Sequence, residues 1–155
     1  MKAVIQRVIR ASVDVDGQTV GRIDGGLLVL LGVAQGDGGS DAQYVAHHIR
    51  TLRVFADELG KMNRSLIDVK GAVLLVSQFT LLGRITKGRR PSFDAAAPPE
   101  DAKALYAQVA ADLRAQGVKV ETGIFAAHMK VESVNDGPVT FVLDSRDGRT
   151  PCVHG

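Results

Sequence analysis

Gly26-Leu27-Leu28-Val29-Leu30-Leu31-Gly32-Val33 contains no charge and no hydroxyl, and Gly25 closes it off upstream. A short continuous apolar run bounded by glycines reads as a strand buried in the middle of a sheet, here Leu27–Val33. A second long apolar run, Ala72–Leu81, reads the same way. Upstream of the first, Ala3–Val15 alternates loosely (Val4, Val8 and Ser12 on one side), and Asp16-Gly17 is a hairpin signal leading into Gln18–Ile23. Downstream, Gly36–Gly39 forms a loop and Ser40 or Asp41 is placed to cap a helix over Asp41–Arg53, with Ala42, Val45, Ala46, Ile49 and Leu52 along one face. A short strand at Val54-Phe55 and a turn at Asp57–Gly60 follow. Pro98-Pro99-Glu100-Asp101 opens a second helix, because proline fits the first turn and acids favour its positive end. That helix runs to about Gln116, turns Leu105, Tyr106, Val109 and Leu113 inward, and ends at Gly117. Three strand-like runs, Val118–Thr122, Met129–Val134 and Val139–Leu143, complete the domain. Many strands with only two helices predict an α+β fold, a curved sheet or barrel with the helices packed outside. The domain is expected over residues 1–145, and the polar, non-periodic stretch from Ser145 on is expected to be a disordered tail, 146–155.

The 155 residues suit one domain that buries its core without staples. Hydrophobic residues make up 45% and aromatics only 5%, so the core must be aliphatic. The single cysteine, Cys152, cannot form an internal disulfide, which suits a reducing compartment. Lys2, Arg7 and Arg10 interrupt the first residues, so no export signal is read there, and Leu27–Ala34 is far too short to span a bilayer. A soluble, cytoplasmic protein is expected, with no membrane partner. The formal net charge of +2 conceals a local concentration: Arg84, Lys87, Arg89 and Arg90 fall within seven residues, with no acid between Leu82 and Phe93. Setting those four aside leaves 15 basic residues against 17 acidic ones. One anionic contact surface is the functional reading of that cluster, and a solvated loop is the plain one.

The usual catalytic signatures are missing: there is no nucleophile elbow, no His-Glu-x-x-His, no phosphate-binding loop and no Cys-x-x-Cys pair. His47 and His48 are neighbours on a helix and project about 100° apart, which suits structural or surface roles better than joint metal ligation. No metal and no cofactor is expected. Two segments stand out. Ser77-Gln78-Phe79-Thr80-Leu81 ends an apolar strand with two hydroxyls and an amide, which could equally serve the neighbouring backbone. Asn135-Asp136-Gly137-Pro138-Val139-Thr140 joins two strands, where Gly-Pro is ordinary turn chemistry.

Taken in order, these motifs carry a resemblance. Ala3–Val8, Ala11-Ser12-Val13, Gly26–Val33, Gly60–Asn63, Ser77–Leu81, Lys87–Phe93 and Asn135–Thr140 resemble the D-aminoacyl-tRNA deacylase family from Met1 to about Asp144. The resemblance implies a barrel-like homodimer with active sites at the interface, acting on the 3′ end of aminoacyl-tRNA. It implies that Ser77, Gln78, Phe79 and Thr80 line the pocket for the terminal aminoacyl-adenosine. It also implies that Gly137-Pro138, joined by a cis bond and held by Arg7, reaches into the partner's pocket to select the amino acid's hand. Lys87, Arg89 and Arg90 become the tRNA-binding residues. Ester hydrolysis then needs a placed water and oxyanion donors, which backbone N–H groups near Phe79 and Thr80 could supply, with help from the substrate's 2′-hydroxyl. Thr80 as a nucleophile is the competing route, although it lacks an obvious base. Rejection of L-residues by the Gly137-Pro138 wall would leave glycine acceptable.

The chain departs from the family pattern at Arg84-Ile85 before Thr86, at Ile124 between Gly123 and Phe125, and at His128 before Met129. Three rival readings stand beside it: a proofreader of the same fold that tolerates L-residues, a non-catalytic RNA-binding module, and a small-ester hydrolase that would need a histidine near Ser77 or Ser92. The intact Ser77–Thr80 and Gly137-Pro138 argue against the first.

Overall fold

The computed structural model describes residues 1–86 and 88–147. Strand β3 (Gly26–Gly32) is buried along almost its whole length, because both of its faces are covered. Leu27, Val29 and Leu31 point into one apolar cluster and Leu28 into a second on the opposite face. The pairing explains this position. β1 (Lys2–Val15) lies antiparallel to β3 on one side, with Lys2 opposite Gly32 and Val8 opposite Gly26. β6 (Ala72–Ser77) lies parallel on the other, with Gly26 opposite Ala72 and Leu31 opposite Ser77. β7 (Lys119–Thr122) continues the parallel set beyond β6. β2 (Gln18–Ile23) hairpins onto the far half of β1 and folds over against β6 and β7. The result is a nearly closed, barrel-like sheet of α+β class, with Val8, Val13, Ile23, Leu74 and Val76 filling its interior.

Both helices cover the other face. α1 (Gly39–Thr51) and α2 (Pro99–Ala115) pack against each other and bury Val45, Ile49, Val109 and Leu113 over β3 and β6. α2 follows the sequence reading closely. Pro99, Glu100 and Asp101 form its first turn, and at its end the N–H groups of Gly117 and Val118 bond the carbonyls of Arg114 and Leu113. α1 begins two residues earlier than expected. Its cap is Gly38, not Ser40 or Asp41, and Asp41 sits at the third helical position, where its carboxylate accepts the Gly38 N–H at 2.8 Å.

Four further expectations are corrected. The second apolar strand stops at Ser77 rather than Leu81, and Phe79–Leu82 coil into a single 3₁₀ turn. Apolarity did not reveal this, because within that turn only Leu82 is buried while Phe79 faces outward. The short strand expected at Val54-Phe55 is β4 (Phe55–Ala56), paired with an unanticipated β5 (Met62–Arg64), and Val54 belongs to the core. The two final strand runs are one element, β8 (Lys130–Asp144), paired along the length of β1. Its register opposes Gln6 to Thr140 but Val8 to Asn135, so residues 136–139 are pushed out of the ladder.

Ser145 is not the start of a loose tail. It is buried, its hydroxyl accepts a 2.6 Å bond from the Met1 ammonium and donates at 2.7 Å to Asp41. The same ammonium pairs with Asp37 at 2.6 Å, both groups being almost fully enclosed, and Asp37 also accepts the Ala34 N–H. Arg146 reaches the Gln35 carbonyl. The rest of the expected tail, 148–155 with Cys152, lies outside the described residues.

Removing one member of an enclosed ion pair strands the other without water, a cost of several kcal/mol. Asp37→Ala is therefore expected to lower unfolding free energy by about 3 kcal/mol, read as a fall in the urea midpoint at unchanged slope; a shift within error of zero would show that the pair carries no net stability.

Candidate active site

Three parallel strands, β3, β6 and β7, finish at the same end of the sheet. Their carboxyl ends open onto a cavity of about 490 Å³. Ligand sites characteristically sit at this end of parallel strands, where the chain leaves the ladder and backbone groups become free. Leu31, Val76 and Ser77 form the floor, and Gln78 and Phe79 the near wall. Ala97 and Tyr106 come from the approach to α2 and from α2 itself. The segment between β7 and β8 supplies Phe125, His128 and Met129.

Tyr106 was legible in the sequence only as a core residue of α2. Its ring is buried and lies 6.0 Å from that of Phe125, and its hydroxyl donates a 2.7 Å bond to the Leu75 carbonyl in β6. Burial pushes its phenol up to about 12, slightly opposed by the charge of Arg114. A tyrosine on an inward helix face always needs a partner for its hydroxyl, and that need was the available signal.

Ser77 ends β6, and Gln78 makes the last ladder bond through its N–H to the Leu31 carbonyl at 2.8 Å. The chain then turns. Phe79 and Thr80 lead the 3₁₀ turn, where the first N–H groups have no acceptor within the turn. The Gln78 amide donates to the Thr80 hydroxyl. Phe79 is 58% exposed and meets Phe93 edge-on, with ring centroids 5.0 Å apart. His128 lines the same cavity as Ser77, but among the described residues no hydrogen bond links them and no third group orients the imidazole. A serine–histidine hydrolase finds no support in that arrangement.

Gly137 and Pro138 stand elsewhere on the chain, at the crest of the excursion in β8, and the peptide between them is cis. Arg7 braces the excursion. Its guanidinium donates to the Asp136 carbonyl at 3.1 Å, lies 3.2 Å from the Asp136 carboxylate, and donates to the Val54 carbonyl at 2.6 Å. Asn135 accepts the Val139 N–H at 3.0 Å and donates to Thr140, which also accepts from Gln6. Gly137 has φ +133°, and a Cβ there would lie 2.7 Å from the Val139 side chain, so no other residue fits. Among the described residues no hydrogen bond or ion pair joins this group to Ser77–Thr80.

Arg84 and Ser92 exchange two backbone bonds, 2.8 and 2.9 Å, which tie off the base of the basic loop beside Phe93. Arg84, Arg89 and Arg90 are exposed along it, as is Ile85. Lys87 lies outside the described residues. His47 is exposed, and His48 stacks on Tyr44 and bonds its carbonyl, in keeping with structural roles. Among the described residues no cluster of His, Cys, Asp or Glu is arranged to hold a metal.

Comparison with known proteins gives a consistent result. The family model described as D-Tyr-tRNA(Tyr) deacylase matches residues 4–144. The D-aminoacyl-tRNA deacylase of Koribacter versatilis (strain Ellin345) is 60% identical over 146 residues, covering 94% of this chain and 98% of the relative. That of Heliobacterium modesticaldum (strain ATCC 51547 / Ice1) is 57% identical over 150 residues, covering 97% and 100%. A solved structure of a c-Myc DNA unwinding element binding protein superposes with TM-score 0.87 at 41% identity, covering 93% of this chain and 98% of its own. A structure of a probable eukaryotic D-amino acid tRNA deacylase, TM-score 0.79 at 17% identity and covering 92% and 97%, shares the fold.

Because folding raises the Tyr106 phenol from 10.0 to about 12, the stability it contributes is complete below pH 10.0 and lost as pH climbs through about 12. Tyr106→Phe should cost about 1 kcal/mol at pH 8 through the lost bond to Leu75. It should also flatten the fall in unfolding free energy between pH 10 and 12; an unchanged alkaline slope in that variant would count against the buried phenol.

Proposed function

This chain belongs to the D-Tyr-tRNA(Tyr) deacylase family, and from that membership we infer that it is a D-aminoacyl-tRNA deacylase, a hydrolase that splits the ester between a D-amino acid and the 3′ end of tRNA. The observation that carries this reading is the match over residues 4–144. The cavity beside Ser77, Gln78 and Phe79 supports it, being of a size and apolar character suited to a terminal aminoacyl-adenosine.

In the reaction, water adds to the ester carbonyl, the tetrahedral oxyanion collapses, and the ribose oxygen leaves with a proton. An aminoacyl ester is already activated, so the protein's part is placement and oxyanion stabilisation. The N–H groups of Phe79 and Thr80 are the donors we assign to the oxyanion. The ribose 2′-hydroxyl assists the water. Thr80 is not the nucleophile in this scheme: its hydroxyl is engaged by the Gln78 amide, and an amide cannot serve as the general base that a threonine needs. No cofactor takes part.

Selection of the D-hand is assigned to Gly137 and Pro138, held by Arg7 and inserted into the cavity of a second copy. Support comes from β8, which carries Val131, Phe141 and Val142 exposed, apolar surface that pairing of two chains would cover. The wall excludes an L-side chain by collision, which leaves glycine, with no β-carbon, as a further substrate on its tRNA. The chain works in translational proofreading in the cytoplasm; no helix among the described residues is long and apolar enough to cross a membrane.

A deacylation time course on D- and L-tyrosyl-tRNA tests the reading: the D-substrate is hydrolysed and the L-substrate persists. Thr80→Ala retains appreciable rate, and a 2′-deoxy terminal adenosine is a poor substrate; trapping of an acyl–Thr80 adduct would overturn the mechanism.

The basic loop, Lys87, Arg89 and Arg90, is assigned to tRNA phosphates. With about three or four phosphates neutralised, log affinity falls against log salt with a slope of roughly −2 to −4. Arg89→Ala with Arg90→Ala makes that slope shallower without altering the preference for D over L.

A further inference from the structure

Phe79 and Phe93 pose a question that the hydrolytic mechanism does not answer. The chain has five phenylalanines and no tryptophan, yet two of the five meet edge-on at the surface. Phe79 leaves 58% of itself in solvent while its neighbour Leu82 takes the buried place in the same turn. Phe93 is half-buried and firmly seated. A Cβ at Gly83 would come within 3.0 Å of its ring, so that glycine lets the ring press against the backbone. Its carbonyl accepts the Ala96 N–H at 2.9 Å. The paired bonds between Arg84 and Ser92 then root the basic loop directly beside it. Between Leu82 and Phe93 there is no acid, and the next one, Asp94, is occupied by the Ser92 hydroxyl at 2.6 Å.

Aromatic rings reaching the surface next to clustered cations are the combination that binds single-stranded nucleic acid. Every base offers a face that stacks on a ring, and the cations follow the phosphates. We propose that Phe79 and Phe93 form a stacking platform for the unpaired nucleotides immediately preceding the terminal adenosine, with Arg84, Arg89 and Arg90 taking their phosphates. The inference rests on the deacylase reading and extends it. The cavity holds the terminal nucleoside, and the platform at its rim steers the single strand into it. The enzyme thereby grips a strand of any sequence, because stacking does not read base edges.

The test uses two substrates bearing the same D-tyrosyl ester, whole tRNA and the adenosine nucleoside alone. For the wild type, kcat/KM on tRNA exceeds that on the nucleoside; in Phe93→Leu this ratio falls about tenfold, and Phe93→Tyr restores it. As a second measurement, the trinucleotide CpCpA should inhibit nucleoside hydrolysis about tenfold more strongly than free adenosine, and that advantage should shrink to about twofold in Phe93→Leu. A ratio equal in wild type and Phe93→Leu overturns the platform while leaving the deacylase intact. So does a Phe93→Leu enzyme that merely dissociates into protomers on dilution with the ratio unmoved, since the rings would then serve a subunit contact. No hydrolysis of either substrate by the wild type would instead sink the deacylase reading itself.

Discussion

Parallel pairing of β3 with β6 and of β6 with β7 is the constraint on which the rest depends. Strands that run the same way must be joined by long crossovers, and each crossover here carries a helix. Those helices cover one face of the sheet and bury a continuous aliphatic cluster. The same pairing delivers three carboxyl ends to one edge, where the chain has to leave the ladder. The cavity is the space between those exits, and Tyr106 ties its α2 wall to the β6 floor.

The antiparallel half of the sheet does different work. β1 spans the domain, pairing with β8 on one edge and with β3 and then β2 on the other. So long a shared register makes any insertion conspicuous, and the three extra residues in β8 are forced outward as the excursion that carries Gly137 and Pro138. A single arginine, Arg7, ties this projection both to the β8 backbone and to the core segment at Val54. The excursion is thus held by the ladder beneath it and by one charged brace.

Charge is distributed to match. Near one end of the sheet Met1, Asp37, Asp41 and Ser145 enclose a polar network that ties the first residue to the segment following β8. A separate cluster of cations, Arg84, Arg89 and Arg90, sits exposed in the loop after Leu82, rooted beside the edge-on pair Phe79 and Phe93. The basic surface therefore lies beside Phe93, whose ring meets Phe79 at the wall of the cavity.

Much of this was legible without coordinates. The two uncharged runs around Leu27–Val33 and Ala72–Leu81 (the second ending as a strand only at Ser77), the start and stop of α2, and the clustering of Arg84, Arg89 and Arg90 follow from period, capping chemistry and charge, all local properties. The motifs at Ser77–Thr80 and Asn135–Thr140 also stood out, and the structure sets Ser77, Gln78 and Phe79 against the cavity and 136–139 on the β8 excursion. What those residues do there was decided by tertiary structure. The turn at Phe79–Leu82 is as apolar as the strand before it, so only packing determined that Leu82 goes in and Phe79 stays out. Ser145, polar and near the end of the chain, looked like tail until a buried ammonium and Asp41 gave its hydroxyl partners 144 and 104 residues away. Tyr106 and Phe125 became cavity walls only because two crossovers bring them to the end of β6. Local sequence determines which elements form, since their energetics act over a few residues; which side chains face a shared space depends on long-range pairing, whose register no short window contains.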